Sequence, residues 1–399
     1  MGNSEDVFLE SVNVFTALPL ATPKRPSSLP SFPKQDALKL FESYIYTVCP
    51  FGEGWFGAWG RVLVSNSVRL HDCARTEVVR AYIPMGTDLG NTVAERTAPT
   101  ATQGAGGPAA FPDALSVDVE DYFHVEAFAD RVSPSEWPGF PSRVRSNCDR
   151  ILKLFDEHKC HATFFVLGWV AEREPGLLRD IVRAGHELAC HSYAHRRVFS
   201  LRPEEFREDL RRARGVIEDA AGVKVVGYRA PTFSIVRDSL WALDVLAEEG
   251  FLYDSSIFPI RHDLYGFPEF PRFIQRLALA SGREIFEVPM STVRLAGWNL
   301  PFGGGGYLRL LPMGYTRWAM RRLRRDDHQP VVIYLHPWEL DPGQPRLEGR
   351  WKSRLRHYTG LRGMERRLAE LLSNGRFEPV LNMVNRLRNG HPPLPALVP

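Results

Sequence analysis

From residue 114 onward, short apolar runs alternate with stretches whose apolar residues recur at helical spacing, and several of those stretches stop at a glycine. Residues 114–118 predict a strand, and residues 142–158 a helix with Val144, Cys148, Ile151, Leu152 and Phe155 on one face. A second strand is predicted at 162–167. A helix over 175–184 stops at Gly185, and a third strand follows at 187–190. A helix over 202–221, with Pro203-Glu204-Glu205 at its start, stops at Gly222 and leads to a strand at 223–229. Another helix, 238–249, stops at Gly250 before a short strand at 252–254. Apolar runs at 284–289 and 331–336 bring the total to about seven strands. Further on, Met364, Leu368, Leu371 and Leu372 share one face of an amphipathic helix.

This alternation implies an α/β fold of parallel βαβ units, arranged as an open doubly wound sheet or a closed barrel. The polar residues separate the two. Asp118, His191, Arg229, Asp254 and His336 each stand at or just past the C-terminal end of a different predicted strand. In a βα barrel those ends form one face, where catalytic groups converge. A single polar residue after a strand is usually a helix N-cap. That reading does not cover histidines and an arginine together. No G-x-G-x-x-G or Walker lysine motif follows any strand. The four glycines at 303–306 read as a flexible loop, since no lysine follows and no helix start is evident.

The chain has 399 residues, 44% hydrophobic and 24% charged, as expected of a soluble globular protein. A net charge of +3 gives no reason to expect nucleic acid as a partner. The basic run Arg321-Arg322-Leu323-Arg324-Arg325 reads as a solvated helix face. Five cysteines, at 49, 73, 148, 160 and 190, never in C-x-x-C spacing, argue against a disulfide framework and a thiolate zinc site. Residues 1–84 carry little periodicity, and residues 86–112 are rich in Gly, Ala, Thr and Pro. The expected organisation is a largely unstructured segment over 1–110, a catalytic barrel over 111–340 and a C-terminal extension over 341–399 that packs on the barrel. The change of character at Met85 suggests it as an alternative start. No apolar stretch reaches transmembrane length and no basic n-region precedes an apolar run, so a cytoplasmic location is expected.

The candidate chemistry lies in His191-Ser192-Tyr193-Ala194-His195 and in Asp118-Val119-Glu120-Asp121. Two imidazoles four apart face one point if the segment turns into a helix. With a carboxylate they complete a two-histidine, one-carboxylate metal site. Side chains alternate along a strand, so Asp118 and Glu120 point to the same side. One can ligate the metal, and the other, left free, can act as a base. Such a metal keeps positions open for water and a substrate oxygen, polarises a carbonyl and lowers the pKa of the water. His336 is the candidate acid for a leaving amine. Arg229 is expected to hold Asp118 ionised, and Asp254 to orient and charge His336. The reaction would be amide hydrolysis without a protein nucleophile. No G-x-S-x-G elbow and no H-E-x-x-H is present.

These residues resemble the polysaccharide deacetylases of carbohydrate esterase family 4, the NodB-homology group. The resemblance runs from about residue 114 to residue 338, with a counterpart for each of the five family motifs in order. They are Ser116-Val117-Asp118-Val119-Glu120-Asp121, His191–His195 as H-[ST]-x-x-H, Arg229-Ala230-Pro231, Tyr253-Asp254-Ser255-Ser256, and Tyr334-Leu335-His336. Thr163-Phe164-Phe165-Val166 resembles a further structural hallmark of the group. The resemblance implies a deformed (β/α)7 barrel and a divalent metal. A His-His-carboxylate set suits zinc best, with cobalt, nickel or iron as alternatives. Stretches such as Arg261-His262-Asp263-Leu264-Tyr265-Gly266 and Arg356-His357-Tyr358-Thr359-Gly360 resemble the branch encoded with exosortase-linked exopolysaccharide clusters. That branch implies de-N-acetylation of an N-acetylhexosamine in a surface polysaccharide or its lipid-linked precursor. It also implies peripheral contact with membrane-bound biosynthetic enzymes at the inner membrane.

The chain departs from the family pattern in places. Val119 stands where the first motif has its second aspartate, so the ligand role passes to Glu120, favoured by strand alternation, or to Asp121 in reserve. Thr232, Ile257 and Tyr334 replace a tyrosine, a tryptophan and a leucine, which reshapes the acyl pocket. The Thr232 backbone N–H is still available to an oxyanion. His124 reads as a hydrogen-bonded structural histidine. Two rival classes are a small-amide hydrolase on the same barrel, allantoinase-like, and a non-catalytic glycan-binding homologue. Intact histidines disfavour the first if it works without metal, and retention of base, acid and orienting residues disfavours the second.

Overall fold

The computed structural model describes residues 111–262 and 264–389. The linker reading, the alternative start at Met85 and the last ten residues of the extension lie outside the described residues. The strands are β1 (Asp113–Val119), β2 (Thr163–Val166), β3 (Glu187–Cys190), β4 (Gly227–Tyr228), β5 (Tyr253–Asp254), β6 (Gln275–Ala278), β7 (Glu284–Glu287), β8 (Thr292–Leu295), β9 (Trp298–Pro301), β10 (Val332–Leu335) and β11 (Phe377–Glu378). The helices are α1 (Val144–Glu157), α2 (Gly168–Arg173), α3 (Pro175–Arg183), α4 (Pro203–Ala221), α5 (Trp241–Glu248), α6 (Gly305–Leu310), α7 (Met313–Arg322), α8 (Trp351–Tyr358), α9 (Leu361–Ser373) and α10 (Val380–Arg388).

The main sheet runs β10-β1-β2-β3-β4-β5-β7-β6. Every neighbour pair from β10 to β7 is parallel, and β6 closes the far edge antiparallel to β7. Parallel strands joined by helices put all strand C-termini on one rim. Along β1, Leu115, Val117 and Val119 join the apolar core, while Ser116 and Asp118 contact Arg229. The period of two thus divides a greasy outer face from a polar interior one. Amphipathic α1, α3 and α4 cover the outer face, with Ile151, Leu177, Leu178, Phe206 and Leu210 fully buried. Gly222, at φ 71°, ends α4 in the left-handed conformation that glycine adopts without strain.

The barrel does not close by a strand ladder between β7 and β10. The chain after β7 bridges that gap: Ser291 Oγ accepts the Val332 N–H at 2.8 Å, and Gly303 O accepts the Tyr334 N–H at 3.0 Å. Here the sequence expectation fails. Residues 303–306 are not a free loop: Gly304 forms a β-bridge with Tyr334, and α6 begins at Gly305. The glycines are needed because the Tyr334 ring lies against them. A Cβ on Gly304 would stand 2.1 Å from Tyr334 Cδ1 and 2.7 Å from the Tyr334 carbonyl oxygen. Gly304→Ala is therefore expected to destabilise by about 1–3 kcal/mol or more through overpacking, read as a lower urea midpoint with an unchanged slope.

The C-terminal segment is woven into the same body. β11 pairs with the start of β1, and Leu361, Met364, Leu368, Leu371 and Leu372 of α9 join the common core. No helix among the described residues is long and apolar enough to cross a membrane.

Candidate metal centre and catalytic cavity

Five chain segments meet at the C-terminal rim. Glu120 follows β1, and a tight turn, Glu120 N–H to Asp118 O at 2.9 Å, keeps its side chain on the polar face. His191 follows β3 directly. The segment to His195 is not the helical turn that the i, i+4 spacing suggested. It is a bend with Ser192 at φ 69° and His195 at φ 53°. Gly168 and Trp169, at the start of α2, donate to the Ser192 and Tyr193 carbonyls, and Asp209 of α4 accepts the Tyr193 N–H. This clamp holds a left-handed backbone that would otherwise be costly.

Glu120, His191 and His195 each offer one ligand atom, all within 4.8 Å of one another. Glu120 Oε1 lies 3.1 Å from His191 Nε2 and 3.2 Å from His195 Nε2. The His191 ring Nδ1 donates to the Arg229 carbonyl at 2.8 Å. With Nδ1 committed to that carbonyl, Nε2 is the ring atom turned to the carboxylate oxygen and the one that could share a cation with it. The donor set therefore fits a divalent metal. Burial alone would raise the Glu120 carboxyl, but the His195 and His336 imidazoles and the bonds from both ligand histidines hold it well below the usual carboxylate range.

Asp121 is placed elsewhere. Its Oδ2 accepts from Ser142 Oγ and from the backbone N–H groups of Arg143 and Val144, capping the start of α1. Its other oxygen accepts the Tyr122 N–H at 3.0 Å. With both oxygens engaged, it is not part of the histidine cluster. His124 Nδ1 accepts the Asp121 N–H at 2.9 Å between Trp137 and Trp169, and burial pulls its pKa down to about 3.

Asp118 and Arg229 are brought together. Arg229 Nη1 lies 2.6 Å from Asp118 Oδ1 and also donates to Ser116 Oγ, while Nε and Nη2 reach the Ser255 carbonyl and Oγ. The guanidinium is fully buried, 4.1 Å above the Phe165 ring. Asp254, expected to orient His336, does something else. Its Oδ1 accepts from Ser256 Oγ at 2.5 Å, and that hydroxyl in turn accepts the Ala230 N–H at 2.7 Å. Asp254 thus anchors the backbone that leads to Thr232, which is left-handed at φ 57° with its Oγ1 buried and unpartnered among the described residues. Burial and the adjacent Asp254 carboxylate push the Glu287 carboxyl well up.

The carboxylate beside His336 is Glu339, three residues on in His336-Pro337-Trp338-Glu339, a residue that sequence reasoning missed. Glu339 Oε2 accepts the His336 N–H at 3.1 Å and lies 3.7 Å from Nδ1. Its other oxygen takes Arg309 Nε at 2.7 Å. The sequence signal was the capping-box spacing of His336 and Glu339 around Pro337. The Nε2 side of His336 faces Glu120 Oε1 at 3.8 Å. Burial lowers the His336 pKa, but Glu120 and Glu339 outweigh it and push it up to about 9. A cation at the trio would neutralise the first carboxylate but not the second.

Glu339 itself is pulled down to about 2: burial opposes, and Arg309 and His336 prevail. Its folded value lies below its unfolded value of 4.5, so the stability it contributes is full above pH 4.5 and is lost as pH falls toward 2. Glu339→Gln is expected to cost about 3–5 kcal/mol at pH 7, since buried Arg309 loses its counter-charge. The deficit relative to wild type should shrink between pH 4.5 and 2 in urea titrations.

Asp118, Glu120, His191, His195 and His336 line one cavity of about 170 Å³, together with Thr232, Phe233, Tyr265, Tyr334, Trp338 and Arg356. A larger cavity of about 420 Å³, lined by His161, Glu187, Lys224 and Pro379, lies at the N-terminal ends of β2–β4, away from the trio. In barrels of this kind the chemistry sits at the opposite, C-terminal rim.

Comparison with known proteins gives two family matches: residues 138–248 with the model described as Polysaccharide deacetylase, and residues 255–385 with a Domain of unknown function (DUF3473). A peptidoglycan deacetylase-like protein of Gibberella zeae is 32% identical over 130 residues, 31% of this chain and 38% of that protein. A peptidoglycan deacetylase of Helicobacter pylori is 33% identical over 110 residues, 27% of this chain and 36% of that protein. The chain thus spans under two fifths of the length of these two relatives. A solved family 4 carbohydrate esterase from Streptomyces lividans aligns at 16% identity, covering 65% of this chain and 89% of that one, with a TM-score of 0.35.

Proposed function

We propose that this chain, whose residues 138–248 form a polysaccharide deacetylase domain, is a hydrolase that removes N-acetyl groups from N-acetylhexosamine units of a surface polysaccharide or its lipid-linked precursor. The observation that carries the reading is the sharing of one cavity by a metal-type trio, a separate carboxylate and an imidazole: Glu120, His191 and His195, then Asp118, then His336. Glu120, His191 and His195 would hold the divalent ion, zinc by the chemistry of the donors. Bound there, the ion polarises the acetamide carbonyl and acidifies the attacking water.

The chain's own groups supply the proton transfers. Arg229 occupies Asp118 Oδ1, which leaves Oδ2 to take a proton from the water as its oxygen attacks the carbonyl carbon. The developing oxyanion accepts the Thr232 N–H, held in place through Ala230, Ser256 and Asp254. His336, charged by Glu339, gives its proton to the sugar nitrogen as the C–N bond breaks. Acetate and a free amine result. Phe233, Tyr334 and Trp338 give the acyl pocket an aromatic wall.

The test is acetate release from N-acetylglucosamine oligomers, from the polysaccharide of the source organism and from a small amide such as allantoin. Release from the glycans and none from the small amide is expected. Turnover of the small amide alone would replace this reading with the amidohydrolase one.

A further inference from the structure

The most exposed large apolar side chain among the described residues is Trp351, at 70% of its full accessibility. It opens α8, and one turn on, four residues later, stands Leu355, 42% exposed. Residues four apart share a helix face, so the two form one outward apolar ridge. Lys352 and Arg354 flank that ridge on either side, both exposed. Across residues 346–356, Arg346, Arg350, Lys352, Arg354 and Arg356 stand against the single carboxylate of Glu348. Arg350 also reaches Asp130 at 3.8 Å, an exposed pair of little energetic weight. The opposite face of α8 packs inward: His357 is buried, stacked on Trp338 at 4.2 Å and bonded to Gln344. Intramolecular packing therefore does not explain the outer ridge.

The ridge is fixed to the catalytic mouth. Arg309 donates to the carbonyls of Arg356, His357 and Thr359, tying the end of α8 to the Glu339–His336 wall. Arg356 lines the cavity, as does Tyr265, whose neighbour Leu264 is 44% exposed.

We propose that the outer face of α8 docks on an anionic lipid bilayer, with Trp351 and Leu355 inserted at the headgroup boundary and Lys352 and Arg354 on the lipid phosphates. An apolar apex flanked by cations on long stems is the pattern of an interfacial helix. Each cation near such a surface is attracted by the negative leaflet, and an aromatic ring sits well at headgroup level. An acidic glycan would use the cations and stack on Trp351, but it gives exposed Leu355 and Leu264 nothing to bury against. Docking here brings the cavity mouth to the membrane surface.

The test is co-sedimentation of the full chain with vesicles of phosphatidylcholine alone and of phosphatidylcholine mixed with phosphatidylglycerol. Binding to the mixed vesicles only, weakening with salt, is expected. Trp351→Ser/Leu355→Ser and Lys352→Glu/Arg354→Glu should each lower the apparent affinity about tenfold or more, with thermal melts like that of the wild type. The apolar pair variant should bind soluble alginate as the wild type does. No binding to mixed vesicles, or wild-type vesicle binding by the apolar pair variant, would overturn the proposal. Loss of alginate binding in the charge variant, with no vesicle binding in either variant or wild type, would assign the surface to an acidic glycan. Vesicle binding needs no turnover, so this result stands or falls apart from the deacetylase reading.

Discussion

Asp118→Asn should lower turnover of an N-acetylated oligomer by a factor of about 100 to 10,000 while leaving KM close to wild type. The asymmetry follows from the role. Asparagine keeps the shape and still accepts from Arg229, so the cavity that receives the sugar is preserved. What it cannot do is take the proton from water, an interaction made only as the transition state forms. The same change leaves a buried guanidinium without its counter-charge, so the variant must be shown to be folded at the assay temperature. An acetate assay on folded Asp118→Asn showing wild-type kcat would remove Asp118 as the base.

The second large effect is structural. Arg229→Gln should destabilise the fold by about 3–5 kcal/mol or more, measured by urea unfolding. Arg229 joins Ser116 and Asp118 of β1 to Ser255 just past β5, from its own place after β4, with its charge over Phe165 of β2. Removing it leaves the buried Asp118 carboxylate without its counter-charge and takes a donor from two hydroxyls and a carbonyl. Arg229→Lys should recover only part of the loss, because an ammonium cannot present a planar fork to partners on both sides. Full recovery by lysine would mean that charge alone, not the fork, holds these strands.

Much of this was legible in the sequence because β1, β2 and β3 are apolar runs with turn residues between them, and their order fixes which ends converge. Of the antiparallel strands, β7 was, within the run at 284–289, but β6, β8 and β9 were not. β6 and β9 are partly exposed and lack an apolar run, so no periodicity announces them. The glycines at 303–306 were misread because their reason, the Tyr334 ring, lies about thirty residues away in sequence and against them in space. The two histidines were found by their spacing, but for the wrong geometry: left-handed Ser192 and His195, not a helix, aim them. Between Glu120 and Asp121, strand alternation leaned the way the structure places them, while only the fold shows Asp121 capping α1 from over twenty residues upstream. Asp254 was given the role because it ends a strand, while Glu339, four residues beyond β10, was missed. Chain order cannot say which carboxylate faces His336. The turn at Pro337 decides it, folding Glu339 back to the His336 backbone N–H, 3.7 Å from the ring Nδ1.

The central claim is that Glu120, His191 and His195 hold one catalytic ion. It is tested most directly by stripping the protein of metal and titrating Zn2+ back while following bound ion and acetate release together. The account predicts one ion per chain, acetate release that rises in proportion to occupancy, and neither uptake nor activity in Glu120→Ala. Undiminished acetate release from the metal-free protein would contradict it.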